Sequence, residues 1–410
     1  MAMIRRDFLK RGALMVPTAA LLPSVILRGA YAGVGSSTKN LILLELGGGN
    51  DGLNTVVPSG VNGGVYYSEF RPTIGIPSPL MLDSQVGFNP AMSALKARFD
   101  QGKVALIQGV SYPNPNFSHD IAAQIWAKGD PSNQSNTGWL GRLLNQFPQP
   151  AFPTAMDIAD APNTAYLGAS EFVPAFWWLG DFNFPYDGDN WWDRHNRRNA
   201  YESVVNALAP GSGKLATMGS TGKGLLSLID TFKNVPEITY TGNYPDTYLS
   251  DSLKMILRLM VSGVGLHVFH LEYGGFDTHS EQEQNNYHSD RLAAVSDGLD
   301  ALYVDLVARG LANDTVVVVY SEFGRTCYEN GSGGSDHGTV NPVLVFGGGV
   351  NGGIKTAHPA MDPDNLDDDG ELPMVADFRN IFAELGTKLY GVPAATLFPG
   401  FTASPYGVLP

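Results

Sequence analysis

Residues 40–52, NLILLELGGGNDG, join an apolar run to a glycine-rich turn that ends on an acid. The run is short for a helix and lacks polar alternation, so it predicts a strand covered on both faces. The same unit recurs along the chain. A second strand is predicted over Val104 to Val110, leading to Asn116-Phe117-Ser118-His119. A third, over Gly265 to Leu271, leads to Gly275-Phe276-Asp277-Thr278-His279. A fourth, over Thr315 to Tyr320, leads to Ser321-Glu322-Phe323-Gly324-Arg325, and Val343 to Phe346 is a further short strand. Helical spacing falls between them, over Asn89 to Asp100, Ser118 to Ala127, Leu253 to Met260, Asp290 to Ala308 and Asp377 to Tyr390. Strands alternating with helices predict an α/β fold, a three-layer α/β/α sandwich with a mainly parallel sheet. The turn at Gly47 to Gly52 formally matches a dinucleotide-binding fingerprint. Pro58, Gly60, Gly63 and Gly64 then replace the helix that fingerprint needs, and Asp51 would sit beside the phosphates, so an oxidoreductase is set aside.

Working outward, Ile4-Arg5-Arg6-Asp7-Phe8-Leu9-Lys10 fits a twin-arginine export signal. An apolar stretch from Gly12 to Leu27 and a small-x-small site at Ala30-Tyr31-Ala32 complete it. Residues 1–32 are therefore read as a signal peptide and residues 33–410 as the domain. Pro17 and Pro23 break the apolar stretch, so no stable membrane span is expected after cleavage. The expected partner during export is the twin-arginine translocase, and the expected location is periplasmic or secreted. The chain carries a net charge of −14; residues 1–32 hold five basic side chains and one acid, a net +4, leaving −18 for the rest. An acidic surface of that size excludes nucleic acid as a partner. Cys327 is the single cysteine, so no intramolecular disulfide forms. From about Phe147 to Asn243 periodicity fades amid Pro, Gly, Asn and aromatic residues, including Asn190-Trp191-Trp192-Asp193-Arg194-His195. That stretch, about 147–243, is read as an irregular cap insertion.

Open parallel sheets bind ligands beyond the carboxyl ends of their strands. The polar loops above would therefore meet on one rim. Asp277 and His279 in one loop, with His337 of Ser335-Asp336-His337-Gly338, make an oxygen and two-nitrogen set suited to Zn²⁺ or a related ion. Asp51 and Glu322 would hold a second ion, with Ser118 between them as nucleophile. Arg325 and Arg142 are candidate anion clamps. Plainer readings stand beside these. A serine before a helix is usually its N-cap, Asp51 is an ordinary turn residue in many such loops, and Glu322 and Arg325 would pair with each other. His337 is then an exposed loop residue, the tryptophan pair packs a cap, and His267 and His270 are satisfied core residues. Asp362 to Glu371 is a solvated acidic loop without calcium-loop spacing.

Leu41 to Pro58, Tyr112 to His119, Gly138 to Arg142, Gly275 to Ser280 and Ser321 to Gly338 together resemble domain-of-unknown-function family 1501. That family is placed in the alkaline phosphatase-like superfamily, with sulfatases, phosphodiesterases and cofactor-independent phosphoglycerate mutases. The resemblance implies that Asp51 corresponds to the superfamily's first-strand aspartate and Ser118 to its nucleophile. It implies Asp277 and His279 as the metal loop and His337 as the late histidine. The superfamily's Asp-His pair at a strand end falls on Glu322 and Phe323, and phenylalanine binds no metal. The second site is then absent, completed by His119, or degenerate. The formylglycine-sulfatase signature begins at Ser111-Tyr112-Pro113 but meets Pro115 where arginine belongs, so that chemistry is set aside.

The expected function is metal-dependent hydrolysis of a phosphate or sulfate ester, of a small molecule or glycan. Ser118, His119 and Arg325 are the expected catalytic residues; Asp51, Asp277, His279, Glu322 and His337 are the expected ligands. Zinc is the expected metal, with manganese or calcium as alternatives. The competing expectation is a non-catalytic envelope or glycan-binding protein on a degenerate hydrolase scaffold.

Overall fold

Alternate residues of the first strand face opposite cores: Leu41 and Leu43 enter one apolar cluster, Ile42 and Leu44 the other. The computed structural model describes residues 39–60, 63–147, 153–180, 191–367 and 370–410. The segment read as a twin-arginine signal, with its expected cleavage site, lies outside them. The strands of the central sheet are β1 (Asn40–Glu45), β2 (Val104–Ser111), β3 (Ala155–Ile158), β4 (Val268–Glu272), β5 (Thr315–Tyr320) and β6 (Asn341–Phe346). Two short strands, β7 (Gly353–Ile354) and β8 (Ala376–Asp377), complete it. The order is β7-β2-β6-β5-β1-β4-β3, with β8 also beside β2. Every pairing is parallel except those of β6, which runs antiparallel to β2 and β5.

Eight helices matter for the layers: α1 (Ser93–Asp100), α2 (His119–Lys128), α3 (Trp139–Leu144), α4 (Trp191–Leu208), α5 (Gly213–Lys233), α6 (Tyr248–Val261), α7 (Tyr287–Ala308) and α8 (Phe378–Tyr390). Leu95, Ile229, Ile256 and Leu299 bring α1, α5, α6 and α7 onto one face. Ile125, Trp139 and Phe382 bring α2, α3 and α8 onto the other. The result is the three-layer sandwich. Local chemistry sets the helix ends. Thr247 caps α6 by accepting from the Ser250 N–H, while α2 stops at Gly129, whose φ of 65° suits glycine.

The stretch read as irregular holds regular structure. β3 extends the central sheet at its edge, and α4 and α5 pack against each other. Their approach is close: a Cβ on Gly222 would lie 2.3 Å from Val205 Cγ1. Glycine at the contact, in place of a large apolar side chain, weakens the periodic signal in the sequence.

One polar network crosses the buried sheet. His270 of β4 bonds Asp157 through Nδ1 at 3.0 Å and Glu45 through Nε2 at 3.2 Å. Tyr320 also donates to Glu45, at 3.2 Å. Burial alone pushes the imidazole down, but the charges and hydrogen bonds of Asp157 and Glu45 outweigh it and raise His270 to about 10. This is the satisfied core histidine expected of a strand position. A raised folded-state value means stability that is full below the unfolded value of about 6.5 and lost as pH rises towards 10. Denaturant unfolding should therefore show stability declining across that window, and His270→Gln should flatten the decline.

Candidate metal centre

The carboxyl ends of β1, β2, β4 and β5 and the amino end of antiparallel β6 open on one rim. His119 is the first residue of α2, entered through an extended Ser118 (φ −86°, ψ 124°) whose N–H donates to Asn116 Oδ1 at 2.9 Å. Asp277 and His279 lie on the loop after β4. His337 and Gly338 pair antiparallel with Arg325 and Gly324 just before β6.

Each histidine is held from behind through Nδ1. His119 donates to Glu322 Oε1 at 2.8 Å, His279 to Asp336 Oδ1 at 2.8 Å, and His337 to the Phe117 carbonyl at 2.7 Å. A carbonyl can only accept, so His337 carries its proton on Nδ1. Both carboxylates are held below their ordinary range. For Asp336 the leading cause is the hydrogen bond from His279; for Glu322 burial pushes up, but bonds from His119, Ser321 and the Gly48 N–H prevail. With the rings neutral and the protons on Nδ1, the three Nε2 atoms would present lone pairs towards the Asp277 carboxylate.

The spacing is that of donors around a single small ion. Asp277 Oδ1 lies 3.1 Å from His279 Nε2 and 3.4 Å from His337 Nε2, and Asp277 Oδ2 lies 3.5 Å from His119 Nε2. The Nε2 atoms of His279 and His337 are 2.9 Å apart. Zinc–nitrogen bonds of about 2.0–2.1 Å in a tetrahedral site imply donor separations of about 3.3 Å. Neutral imidazoles unprotonated at Nε2 would repel one another and the carboxylate at this range, and a cation at their centre would relieve that repulsion. His119, Asp277 and His337 offer donor atoms that all lie within 4.8 Å of one another, a set that fits a divalent transition ion, and His279 adjoins it through His337. It is also open, with side-chain exposures of 49% for Asp277, 43% for His279 and 37% for His119. A purely structural site would be closed to solvent.

The remaining expected residues are arranged differently. Asp51 is fully buried away from this cluster. Its Oδ1 caps the helical turn Gly52–Thr55 by accepting from the Leu53 and Asn54 N–H groups, and its Oδ2 takes Arg71 Nη1 at 2.6 Å and Gln282 Nε2 at 2.5 Å. Those bonds saturate the carboxylate, which removes it from the ligand set. Glu322 sits behind His119 and orients the imidazole rather than facing the centre. Without these two acids there is no second carboxylate pair, and among the described residues the metal-binding geometry is that of one centre.

Arg325 is buried and fully engaged. It donates to the carbonyls of Gly49 (2.7 Å), Ser335 (2.8 Å), Phe276 (3.1 Å) and Gly48 (2.5 Å), and to Asp277 Oδ1 at 2.6 Å. It therefore ties three loops together and aims Asp277, and its fully buried guanidinium, bonded within the protein at each nitrogen, is not presented to an anion. Burial would push Asp277 up, but the bond and charge of Arg325 hold it low. Arg142 is spent likewise on the carbonyls of Leu397, Thr137 and Lys128. Phe323, at the position where a metal histidine was implied, packs its ring 4.9 Å from that of His119 and 4.5 Å from that of His337. A Cβ on Gly49 would lie 2.3 Å from that same ring, so the glycine-rich turn makes room for it. Ser118 is exposed at the N-cap position, yet its side chain makes no cap hydrogen bond.

Sequence reasoning missed Asp336 and the Phe117 carbonyl as supports of the centre. The adjacency of Asp336 to His337 was the only local signal. Partners behind metal-binding imidazoles typically contribute 10- to 100-fold in affinity. Asp336→Ala should therefore weaken zinc binding by about 10- to 100-fold, measured by competition with a chelator. Asp336 is exposed, so the unfolding midpoint of the metal-free protein should stay unchanged.

No curated protein matches the chain. Among solved structures it is similar to the C-terminal periplasmic domain of EptC from Escherichia coli, in complex with zinc. That match has 10% identity and a TM-score of 0.38, over 76% of this chain and 74% of that one. It is also similar to the PsFucS1 sulfatase from Pseudoalteromonas sp., at 13% identity and a TM-score of 0.38, over 90% and 73% of the two chains. A third similarity is to the lipoteichoic acid synthase LtaP from Listeria monocytogenes, at 14% identity and a TM-score of 0.37, over 84% and 76%. The family model described as Protein of unknown function (DUF1501) matches residues 84–387, well over half of the chain, and the protein belongs to that family.

Proposed function

We propose that the protein is an exported, metal-dependent hydrolase of phosphate or sulfate esters. The observation that carries this reading is the convergence of His119, Asp277 and His337, with His279 beside them, at an open rim. His119, Asp277, His279 and His337 would hold the ion, zinc by donor type, with manganese or calcium as weaker fits. A divalent ion bound there supplies Lewis-acid polarisation of an ester oxygen. Glu322, Asp336 and the Phe117 carbonyl fix the three imidazoles, and Arg325 fixes the carboxylate. Ser118 is the proposed nucleophile, because its hydroxyl is exposed beside His119 and is not engaged as a cap. Export rests on the pattern from Ile4 to Lys10 and the site at Ala30-Tyr31-Ala32. Among the described residues no helix is long and apolar enough to cross a membrane.

Ser118→Ala should abolish turnover of a chromogenic phosphate or sulfate ester while leaving zinc stoichiometry and the unfolding midpoint intact. Unchanged turnover would remove Ser118 from the chemistry. An intact, zinc-loaded wild type that turns over no such ester would favour a binding protein.

A further inference from the structure

The charge around the centre restricts the ester it accepts, on the reading that the centre is an ester hydrolase. Four segments build the rim: residues 46–60, 112–121, 273–286 and 321–340. Arg325 is the single lysine or arginine among them. Its guanidinium is fully buried and bonded at each nitrogen to carbonyls or Asp277. Nearby Arg71 is buried against Asp51. Arg291, behind Gly275, donates to the Gly274 carbonyl at 2.7 Å and the Tyr287 hydroxyl at 2.9 Å. No free cationic side chain from these segments is left to meet a substrate anion.

The acids at the centre are Asp277, Glu322 and Asp336, against Arg325 alone. They leave two negative charges, which one divalent ion cancels. A substrate therefore brings its own charge to a neutral centre within an acidic surface. Each further negative charge is repelled, and more strongly than in bulk water because the site is partly desolvated.

We infer that the protein selects tetrahedral oxyesters carrying a single negative charge, a phosphodiester or a sulfate monoester, over the dianion of a phosphate monoester. A phosphate monoester carries its second charge above about pH 6.

The test uses zinc-loaded protein at pH 8, titrated calorimetrically with dimethyl phosphate, methyl sulfate and methyl phosphate. The two monoanions should bind at least about tenfold more tightly than methyl phosphate. Turnover of bis(4-nitrophenyl) phosphate against 4-nitrophenyl sulfate then separates the two monoanion classes. Asp120 is an exposed acid in the first turn of α2, next to His119 and outside the centre. Asp120→Lys should narrow the preference a few-fold by improving dianion binding. Methyl phosphate binding as tightly as the monoanions would overturn the charge selection and leave the hydrolase reading standing. A preference unmoved by Asp120→Lys would count against charge as its cause. Binding of none of the three to zinc-loaded protein, with none of the nitrophenyl esters turned over, would overturn the hydrolase reading itself.

Discussion

Arg71→Met should destabilise the protein by about 3–5 kcal/mol, the cost of breaking a buried ion pair from one side. Arg71 and Asp51 are both fully buried, 2.6 Å apart. Arg71 also donates to the carbonyls of Cys327 at 2.9 Å and Thr326 at 2.6 Å, and to Asn54 Oδ1 at 2.9 Å. The pair therefore ties the glycine-rich turn to the chain between Arg325 and His337. Methionine fills much of the volume but leaves the Asp51 carboxylate without its cation. Burial pushes Asp51 up, and the charge and hydrogen bond of Arg71 are the main influences holding it below the ordinary range. A depressed value means stability present above the unfolded value and lost as pH falls through the folded one. In the variant Asp51 protonates more readily, so the deficit should shrink below about pH 4. Urea unfolding of both proteins at pH 7 and pH 3.5 checks this; equal deficits at the two pH values would contradict it.

Asp277→Ala combined with His337→Ala should lower zinc affinity by well over a hundredfold, more than any loss expected from a supporting partner. The two residues are two of the three groups whose donor atoms gather within 4.8 Å, and Asp277 is the single carboxylate among them. The fold should survive. Arg325 keeps its four carbonyl bonds, and His337 is a half-buried loop residue whose ring rests on Phe323. Chelator competition reads the affinity, and far-ultraviolet circular dichroism reads the fold. Retention of zinc within tenfold of wild type would place the ion elsewhere.

Local patterns carried most of the fold. Thr315–Tyr320 reads as a buried strand because all six residues are apolar or β-branched, and Asn40–Glu45 follows from the unbroken apolar run Leu41 to Leu44 at its centre. The strand-end loops were legible as neighbours because parallel strands deliver their carboxyl ends to one rim. β6 joins them from the opposite direction, which places His337 there too. What failed to show was pairing over distance. Asp51 looked like a free strand-end acid because its partner, Arg71, lies twenty residues on, and Gln282 far beyond that. Glu322 looked like a ligand because the histidine in front of it, His119, belongs to another loop. Arg325 looked like an anion clamp because the carbonyls it satisfies have no sequence signature. The helical pair α4 and α5 was hidden by glycines at its contact.

The hydrolase reading requires an ion held by His119, Asp277 and His337, with His279 beside them. The most direct measurement is elemental analysis of the wild-type protein, produced with its own N-terminal segment, purified and dialysed against metal-free buffer. One equivalent of zinc, manganese or calcium per chain, absent from the Asp277→Ala, His337→Ala protein, is the predicted result. A correctly folded wild type that holds no metal, and takes up none when zinc is added, would contradict the account.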